Sequence, residues 1–408
     1  MSTYSTLLKT PGVTRIIAAQ LTARFPFGML SLAFLLHVER VHHSYTAAGL
    51  VLAATSIGQA ISGPLTSRWM GRWAMRPVLI LTLVVCTATV VTFALFDLPV
   101  VLYMVLGFLT GLSVPPIQPA VRTIYPKMVN SSQLTPLFSL DASAQEIIWV
   151  AGPVITTFVG TQIGTEQAIL LAAVFLVGGG VWFIASPEVG RVRIPRSKRA
   201  FGKVLARPTV LLATVAGFLL IGACSAVEAG VIATFGEGSA SSGLVLAVFA
   251  VGSLAGGLAL GHVPVGPWAL ARRMGIVFIG MTLAILASGF ADGAVFWSLN
   301  VTLLIAGIGI APALAVMFAI VSSSVKFSDT AEAYGWAGTG QLIGAAIGSA
   351  IAGFLIDRVG GVGGLMVASG FALVGMIVPI VFVRHLPDLR GREASPLPDT
   401  EPVPIQPS

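Results

Sequence analysis

The sequence predicts an all-α integral membrane protein with twelve transmembrane helices in two pseudo-symmetric six-helix bundles. Three observations lead to this fold class: the scarcity of charge, twelve apolar stretches of membrane-spanning length, and an internal repeat. Of the 408 residues, 56% are hydrophobic and only 10% are charged. A soluble domain carries about 25% charged residues, so much of this chain must have lipid as its solvent.

The apolar stretches have the length that a bilayer demands. A helix needs about 20 predominantly apolar residues to cross the hydrocarbon core. Twelve stretches meet this condition, at residues 14–38, 45–67, 77–96, 98–121, 134–162, 166–186, 209–232, 239–261, 272–291, 294–322, 331–356 and 361–384.

The repeat relates the two halves of the chain. Residues 49–63 return as residues 243–257, with seven identical positions. The identical pairs are Gly49/Gly243, Leu50/Leu244, Val51/Val245, Leu52/Leu246, Ala53/Ala247, Gly58/Gly252 and Gly63/Gly257. The same offset of 194 residues carries each of the first six predicted helices onto one of the last six. This agreement indicates that a whole six-helix unit was duplicated.

Each half is predicted to form one domain, residues 1–186 and residues 209–386. The segment 187–208 between them is polar and basic, and we interpret it as a cytoplasmic linker. The proline-rich tail at 387–408 is predicted to be disordered. No removable signal peptide is expected at the N-terminus. Cys86 and Cys224 lie in apolar runs and are expected to be buried thiols.

Lysine and arginine positions predict the orientation. If both termini are cytoplasmic, 20 of the 23 Lys and Arg residues fall in cytoplasmic segments. Only Arg40 and Arg358 fall in outer segments, and Arg24 lies within a helix. The positive-inside rule therefore predicts a multi-pass protein of the cytoplasmic membrane with cytoplasmic termini. Topology and anionic lipid account for the net charge of +7, so nucleic acid is not expected as a partner.

Twelve helices duplicated as six plus six, with a basic loop between the halves, resemble the major facilitator superfamily over the chain to about Arg384. The most specific match is the loop between helices two and three, where the family pattern is Gly-x-Leu-x-Asp-Arg-x-Gly-Arg. The matching residues are Gly63, Arg68, Gly71 and Arg72. Ser67 replaces the family's Asp, which takes part in a cytoplasmic charge-relay latch, and one extra residue separates Arg68 from Gly71. We interpret this segment as a turn that follows helix two.

Helix five adds a second match. Gly152 and Pro153 resemble the Gly-Pro core of the family's antiporter motif, although Thr156 and Thr157 replace its trailing glycines. In helix four, Gly107 stands where the proton-antiporter pattern has arginine, which argues against a direct transfer of the family's proton mechanism. The resemblance implies a secondary carrier that works by alternating access. It also implies that helices two, five, eight and eleven line the seam between the halves.

Four charged residues are predicted to lie within membrane helices, where a charge is costly and typically faces a cavity or a partner. They are Arg24, Asp141, Glu146 and Glu228, and none has a charged counterpart at the 194-residue offset. Helices one and five rise from the cytoplasm to similar depths, so we expect Arg24 to pair with Glu146, or with Asp141 below it. Arg24 then has either a functional partner, which is an anionic substrate group or a proton-dependent carboxylate, or a purely structural ion pair that never moves. Glu228 is interpreted as a gate, a proton acceptor or a wetted helix end.

Further residues are candidates for the walls of a cavity. Pro26 and Gly28 are predicted to interrupt helix one, as carrier binding sites often require. Polar and aromatic residues that would line the cavity, or else serve packing, are Gln20, Gln118, Tyr125, Gln145, Trp149, Asn300, Trp336 and Gln341. Rows of small residues that would let the halves slide, or else pack statically, are Gly252 and Gly256 in helix eight and Gly340, Gly344 and Gly348 in helix eleven.

These observations favour a secondary transporter of a small polar or amphipathic organic solute. Proton-coupled efflux is the first hypothesis for its direction, and proton-coupled import is the alternative. No phosphate-binding loop of the Gly-x-x-x-x-Gly-Lys-Ser/Thr type occurs. A membrane enzyme or a channel is a remote alternative, because no cluster of catalytic residues and no charged ring is recognisable. No cofactor and no metal is expected, since His42 and His43 are poorly spaced as metal ligands. The protein is expected to be a monomer in contact with membrane lipids.

Overall fold

The computed structural model describes residues 2–236, 239–289, 292–390 and 394–399. Most of these residues are helical. The helices are α1 (Ser2–Lys9), α2 (Val13–His42), α3 (Tyr45–Trp73), α4 (Met75–Leu95), α5 (Val100–Leu112), α6 (Ile117–Ile124), α7 (Ser131–Gln162), α8 (Thr165–Ala185), α9 (Pro187–Arg191), α10 (Pro208–Phe235), α11 (Ala240–Leu260), α12 (Ala269–Ala287), α13 (Asp292–Ile308), α14 (Ile310–Ser324), α15 (Phe327–Val359) and α16 (Gly361–Val381).

Twelve segments of the described residues are long and apolar enough to cross a membrane, so the predicted number of helices is confirmed. Ten segments are single helices. The fourth segment joins α5 to α6 and the tenth joins α13 to α14. The break in the fourth follows from Pro115 and Pro116, which remove backbone donors. The longest helix, α15, has 33 residues and measures about 50 Å, so it extends beyond the hydrocarbon core.

The prediction of a turn after helix two is wrong. Helix α3 continues to Trp73 and places Arg68 and Arg72 on its last turns. No glycine or proline between Pro64 and Gly71 is placed to stop it. The connection to α4 is the single residue Ala74, which has a φ of 74°.

Helix α2 is also continuous, although Pro26 and Gly28 were predicted to interrupt it. Pro26 and Gly28 are accommodated in the helix for different reasons. Pro26 lies inside the helix, where neighbouring helices can re-satisfy the freed backbone groups. Gly28 packs directly on the backbone of α7, and Gly152 of α7 packs in turn on Gly28. The motif glycine of helix five thus allows two helix backbones to touch.

The membrane helices form two bundles, α2–α8 and α10–α16, which meet along a seam. Helices α3 and α7 of the first bundle contact α15 and α11 of the second, and α6 and α7 contact α15 and α14. We call the end of the molecule that carries residues 187–208 the linker face. One hydrophobic core joins both bundles at this end and continues along the second bundle. A second core belongs to the first bundle alone and lies in its opposite half. The seam is therefore closed on the linker side.

Glycines close the seam, but they are not the predicted rows. The rows at Gly252/Gly256 and Gly340/Gly344/Gly348 pack on α13 and α10 of their own bundle. The seam instead contains Gly63 of α3 against Gly335 of α15. The predicted rows therefore pack the second bundle internally, and the Gly63–Gly335 contact brings the backbones of the two bundles together.

Part of the tail is ordered, contrary to the prediction of disorder from residue 387. Leu397 donates its backbone N–H to Val325 O at 2.9 Å and accepts from Phe327 N at 3.0 Å. The Asp399 carboxylate accepts from Ser328 N at 3.2 Å, on the first turn of α15. Main-chain pairing and this cap hold the tail on the linker face, which composition alone does not reveal.

We predict that Gly335→Ala weakens closure of the linker side. A Cβ at Gly335 would overlap the backbone of Gly63 and Pro64, so the bundles must separate there. Overpacking of this kind costs about 1–3 kcal/mol. The control is Gly353→Ala on the same helix, where a Cβ meets no atom within 4 Å.

Labelling of a Thr339→Cys variant measures this opening. The Thr339 hydroxyl donates across the seam to Ala60 O at 2.8 Å, so this position becomes accessible when the bundles separate. In a chain with Cys86→Ala and Cys224→Ala, its reaction with a water-soluble maleimide should be about tenfold faster in the Gly335 variant, the equivalent of about 1.4 kcal/mol. Equal rates in the Gly335 and Gly353 variants would contradict the role given to this contact.

Candidate functional site

Three helices of the first bundle each present a polar pair at i and i+4, the spacing that places two side chains on one helix face. The pairs are Gln20/Arg24 on α2, Gln118/Arg122 on α6 and Asp141/Gln145 on α7. Tyr125 follows Arg122 at a spacing that continues the same face. These seven residues converge inside the bundle, and we call them the arginine network.

Asp141 is the centre of the arginine network. Its Oδ1 accepts hydrogen bonds from Gln20 Nε2 at 3.0 Å and from the Tyr125 hydroxyl at 3.1 Å. Its Oδ2 accepts from Nε and Nη2 of Arg122, both at 3.3 Å. The carboxylate is completely buried, so these donors replace the water that it loses.

Arg24 lies on the side of the network away from the linker face. Its Nη1 donates to Gln20 Oε1 at 3.0 Å and its Nη2 to Gln145 Oε1 at 2.6 Å. The predicted pairing with Glu146 or Asp141 is wrong, since neither carboxylate forms a salt bridge with Arg24 in the described structure. Consecutive helical residues point about 100° apart. When Gln145 faces α2, its neighbour Glu146 therefore faces another helix.

Arg122 is the residue that sequence reasoning missed. It was counted as a cytoplasmic loop residue, yet it is only 1% exposed. Its guanidinium lies 3.4 Å from the ring centroid of Phe318 on α14, and the Gln118 amide oxygen turned toward it accepts from Nη1 at 2.8 Å. The recurring i, i+4 polar pair was the signal that could have found it. Through Phe318 the network touches the second bundle.

A second polar cluster lies in the seam itself. Glu146 Oε1 accepts from the Ser253 hydroxyl of α11 at 2.8 Å, so this side chain reaches the opposite bundle. Glu228 of α10 is close enough to Glu146 to interact with it electrostatically. Cys224, one turn earlier on α10, lies within range of both carboxylates. We call Glu146 and Glu228 the acidic pair, because two groups of like charge from different bundles lie within electrostatic range of each other.

The other predicted lining residues lie apart from these clusters. Trp149 is 58% exposed on α7. Asn300 is buried on α13, where it donates to its own helix at Phe296 O and leaves its oxygen unpartnered. Trp336 packs on Phe201 of the linker segment, and Gln341 packs on Gly217 of its own bundle. None of them contributes a hydrogen bond to the arginine network or the acidic pair among the described contacts.

The predicted motif after helix two takes part in closing the linker face. Arg68 forms a salt bridge with Glu332 of α15 at 2.5 Å and donates to the backbone oxygen of Arg199. Glu332 also accepts from Gly202 N at 2.8 Å. The linker segment therefore lies between the two bundles and binds both. Ser67, in place of the family's Asp, is buried without a partner, so the latch operates through Arg68.

Two hydroxyls close the seam between α7 and α11, also on the linker side. Gly257 O on α11 accepts from the Ser139 hydroxyl of α7 at 2.7 Å and from the Tyr4 hydroxyl of α1 at 3.0 Å. Burial raises the pKa of the Tyr4 phenol above its usual range, which keeps the donor protonated. Helix α1 thus crosses from the first bundle to the second.

No group of three or more His, Cys, Asp and Glu side chains within the described ranges is arranged to hold a metal ion. The two clusters offer instead a guanidinium held by neutral amides and a pair of carboxylates across a movable seam. This chemistry suits ion pairing and proton exchange.

Three solved structures share the fold. A bacterial homologue of the iron transporter ferroportin in an outward-facing state has 12% identity and a TM-score of 0.73, covering 91% of this chain and 99% of that one. The human organic anion transporter MFSD10 (TETRAN) has 14% identity and a TM-score of 0.69, with 90% and 98% covered. The proton:xylose symporter XylE has 13% identity and a TM-score of 0.70, with 94% and 97% covered. Such low identity shows the fold alone.

No protein with a curated description matches the chain. The family model described as Major Facilitator Superfamily matches residues 16–263 and 225–407. Together these matches span nearly all of the sequence. The chain therefore belongs to the Major Facilitator Superfamily and is a secondary transporter that moves a solute across a membrane.

Proposed function

We propose that this transporter couples export of a small polar or amphipathic organic solute to proton entry across the cytoplasmic membrane. The observation that carries this proposal is the acidic pair. Glu146 reaches the second bundle through the hydrogen bond from Ser253, and Glu228 on α10 of that bundle lies within its electrostatic range. Intramembrane carboxylates of this kind typically mark proton pathways.

The position of the acidic pair supplies a coupling mechanism. Two negative charges held close together repel each other, and binding one proton removes the repulsion. The separation of the two carboxylates must change when one bundle rocks against the other. Proton affinity and conformation are then linked, and each changes the other by the same free energy.

The closed linker side corresponds to one end state of alternating access. Arg68, Glu332 and the linker backbone join the bundles there, and the second hydrophobic core stays within the first bundle in the opposite half. The solute is released or admitted on that opposite side. Transport then requires the latch to open when the bundles rock.

The proposed direction and orientation have separate support. The basic linker segment and the Lys and Arg residues near it favour a cytoplasmic linker face under the positive-inside rule. With the linker side closed and cytoplasmic, any opening of the seam is on the outer side of the membrane. The Gly152–Pro153 pair, which packs on Gly28 of α2, supports export, because it is the part of the antiporter motif that the chain retains.

We predict that Glu146→Gln abolishes transport driven by a pH gradient while the protein folds normally. The amide keeps the hydrogen bond to Ser253 but cannot exchange a proton. Flux of ethidium, glucose and benzoate is measured in vesicles with an imposed gradient of either sign. Asp357→Asn is the control, since this carboxylate is exposed at the far end of α15.

Undiminished gradient-driven flux in the Glu146 variant would refute the coupling role. Accumulation of a probe on the cytoplasmic side, in step with proton entry, would establish import in place of export.

We also predict that Glu332→Gln loosens the latch. The amide loses the salt bridge to Arg68 and leaves a partly buried guanidinium without a charged partner. The exchange rate of the Gly202 amide proton should rise by about tenfold, because a hydrogen bond to a charged group contributes about 1.5–3 kcal/mol. Asp388→Asn, which breaks the exposed pair with Arg390, is the control and should leave this rate unchanged. An equal rate in both variants would argue against the latch.

A further inference from the structure

The arginine network has an unbalanced charge. It contains two guanidiniums, on Arg24 and Arg122, and one carboxylate, on Asp141. The carboxylate is occupied by Arg122, Tyr125 and Gln20. Arg24 hydrogen-bonds to the amide oxygens of two glutamines, and it shares the electrostatic attraction of Asp141 with Arg122. One positive charge is therefore left over inside a membrane-embedded bundle.

Amide oxygens orient a guanidinium without neutralising it. A charge held inside a bundle in this way is costly unless it faces a partner or a cavity. Arg24 is only 7% exposed, so water does little to offset the cost. The missing element is an anion.

Arg273 on α12 shows that a missing carboxylate does not by itself indicate a ligand site. Arg273 is 5% exposed and also has no carboxylate partner among the described contacts. However, it donates to Leu260 O at 3.2 Å and Pro312 O at 2.8 Å. Leu260 ends α11, where the helix dipole is negative and favours a cation. Arg24 lies in the middle of α2, far from either helix end. The one carboxylate that attracts it, Asp141, already forms a salt bridge with Arg122.

The direction of access to Arg24 follows from the helix order. Helix α2 begins at the linker face, so Arg24 lies one turn farther from that face than Gln20, which binds Asp141. On the linker side the network is covered by Phe318, which packs on Arg122. A ligand entering along the seam from the side opposite the linker face therefore meets Arg24 before it meets Asp141.

We propose that the transported solute is an organic monoanion whose carboxylate binds the Arg24 guanidinium. This inference rests on the transport function proposed above and names its substrate class. The planar fork of arginine matches a carboxylate in a bidentate geometry. A single negative charge balances the network, whereas a dianion would leave a buried excess of the opposite sign. Gln20 and Gln145 hold the guanidinium in place between transport cycles.

Stability measurements test the proposal without knowledge of the natural solute. Arg24→Gln removes the unmatched charge, so the empty protein in detergent should melt about 2–4 °C higher than the wild type. Arg122→Gln is the matched control in the same network. It strips Asp141 of its only charged partner and should lower the melting temperature. A lower melting temperature in both variants would make Arg24 a structural residue and overturn the proposal.

Ligand binding is measured with benzoate, benzamide and benzylammonium, and with the corresponding carboxylate, amide and ammonium of naphthalene. Within each series the compounds differ in charge but have nearly the same shape. Carboxylates should raise the melting temperature of the wild type and of Arg24→Lys, and should have no effect on Arg24→Gln. Stabilisation by the amides or ammonium compounds alone, or carboxylate binding that survives Arg24→Gln, would overturn the proposal.

The same probes separate this inference from the proposed function. Gradient-driven flux of a cationic or neutral probe that depends on Glu146 would preserve proton coupling and refute the anion site. Carboxylate binding that requires Arg24, without any gradient-driven flux, would preserve the anion site and refute proton coupling.

Discussion

The absence of water from the bilayer core is the constraint on which this structure depends. Backbone groups in hydrocarbon must be satisfied internally, which is why the described membrane segments are helices. The same constraint acts on charge. The buried charged groups Arg24, Arg122, Asp141 and Arg273 all find partners within or between helices. A polar group of this chain is tolerated in the membrane only where protein replaces the solvent.

The seam between the bundles is where such groups have freedom to rearrange. On the linker side it is closed by glycine contacts, by the hydroxyls of Tyr4 and Ser139, and by a salt bridge that also binds the linker. Each of these contacts is small or polar. Aromatic contacts of Phe138 with Phe318 and Tyr334 also cross the seam there, so opening this side exposes part of the shared hydrophobic core. The stiff glycine-rich packing lies inside the second bundle, which suits a rigid body that rocks on a weaker interface.

The arginine network and the acidic pair have different positions relative to the seam and different proposed roles. The arginine network lies within the first bundle and reaches the second only through Phe318. The acidic pair spans the seam and changes when the bundles move. A solute bound at Arg24 and a proton bound at Glu146 or Glu228 would both respond to one rocking motion without touching each other. Duplication produced two bundles of similar backbone structure. The bundles differ in their intramembrane charges, which have no charged counterpart in the other half.

Hydrophobicity and the repeat were enough to predict the twelve helices, the two bundles and the four charged residues within them. The partners of those charges were not predictable, because one residue of difference turns a side chain by about 100° on a helix. Gln145 and Glu146 illustrate this, since they face different helices and belong to different clusters. Arg122 was assigned to a loop because the predicted helix ended one residue before it. Tail residues 394–399 bind through main-chain atoms, on which composition carries no information.

Distances between spin labels test the central claim, that two rigid bundles part on one side of the seam as they close on the other. Labels at Arg72 and Arg272 report the linker face, and labels at Tyr45 and Ala240 report the opposite face; all four positions are exposed. Lowering the pH or adding a bound carboxylate should change the two distances in opposite directions. A third pair within the first bundle, at Tyr45 and Trp182, should stay constant. Both seam distances moving in the same direction, or a change within the first bundle, would contradict the account.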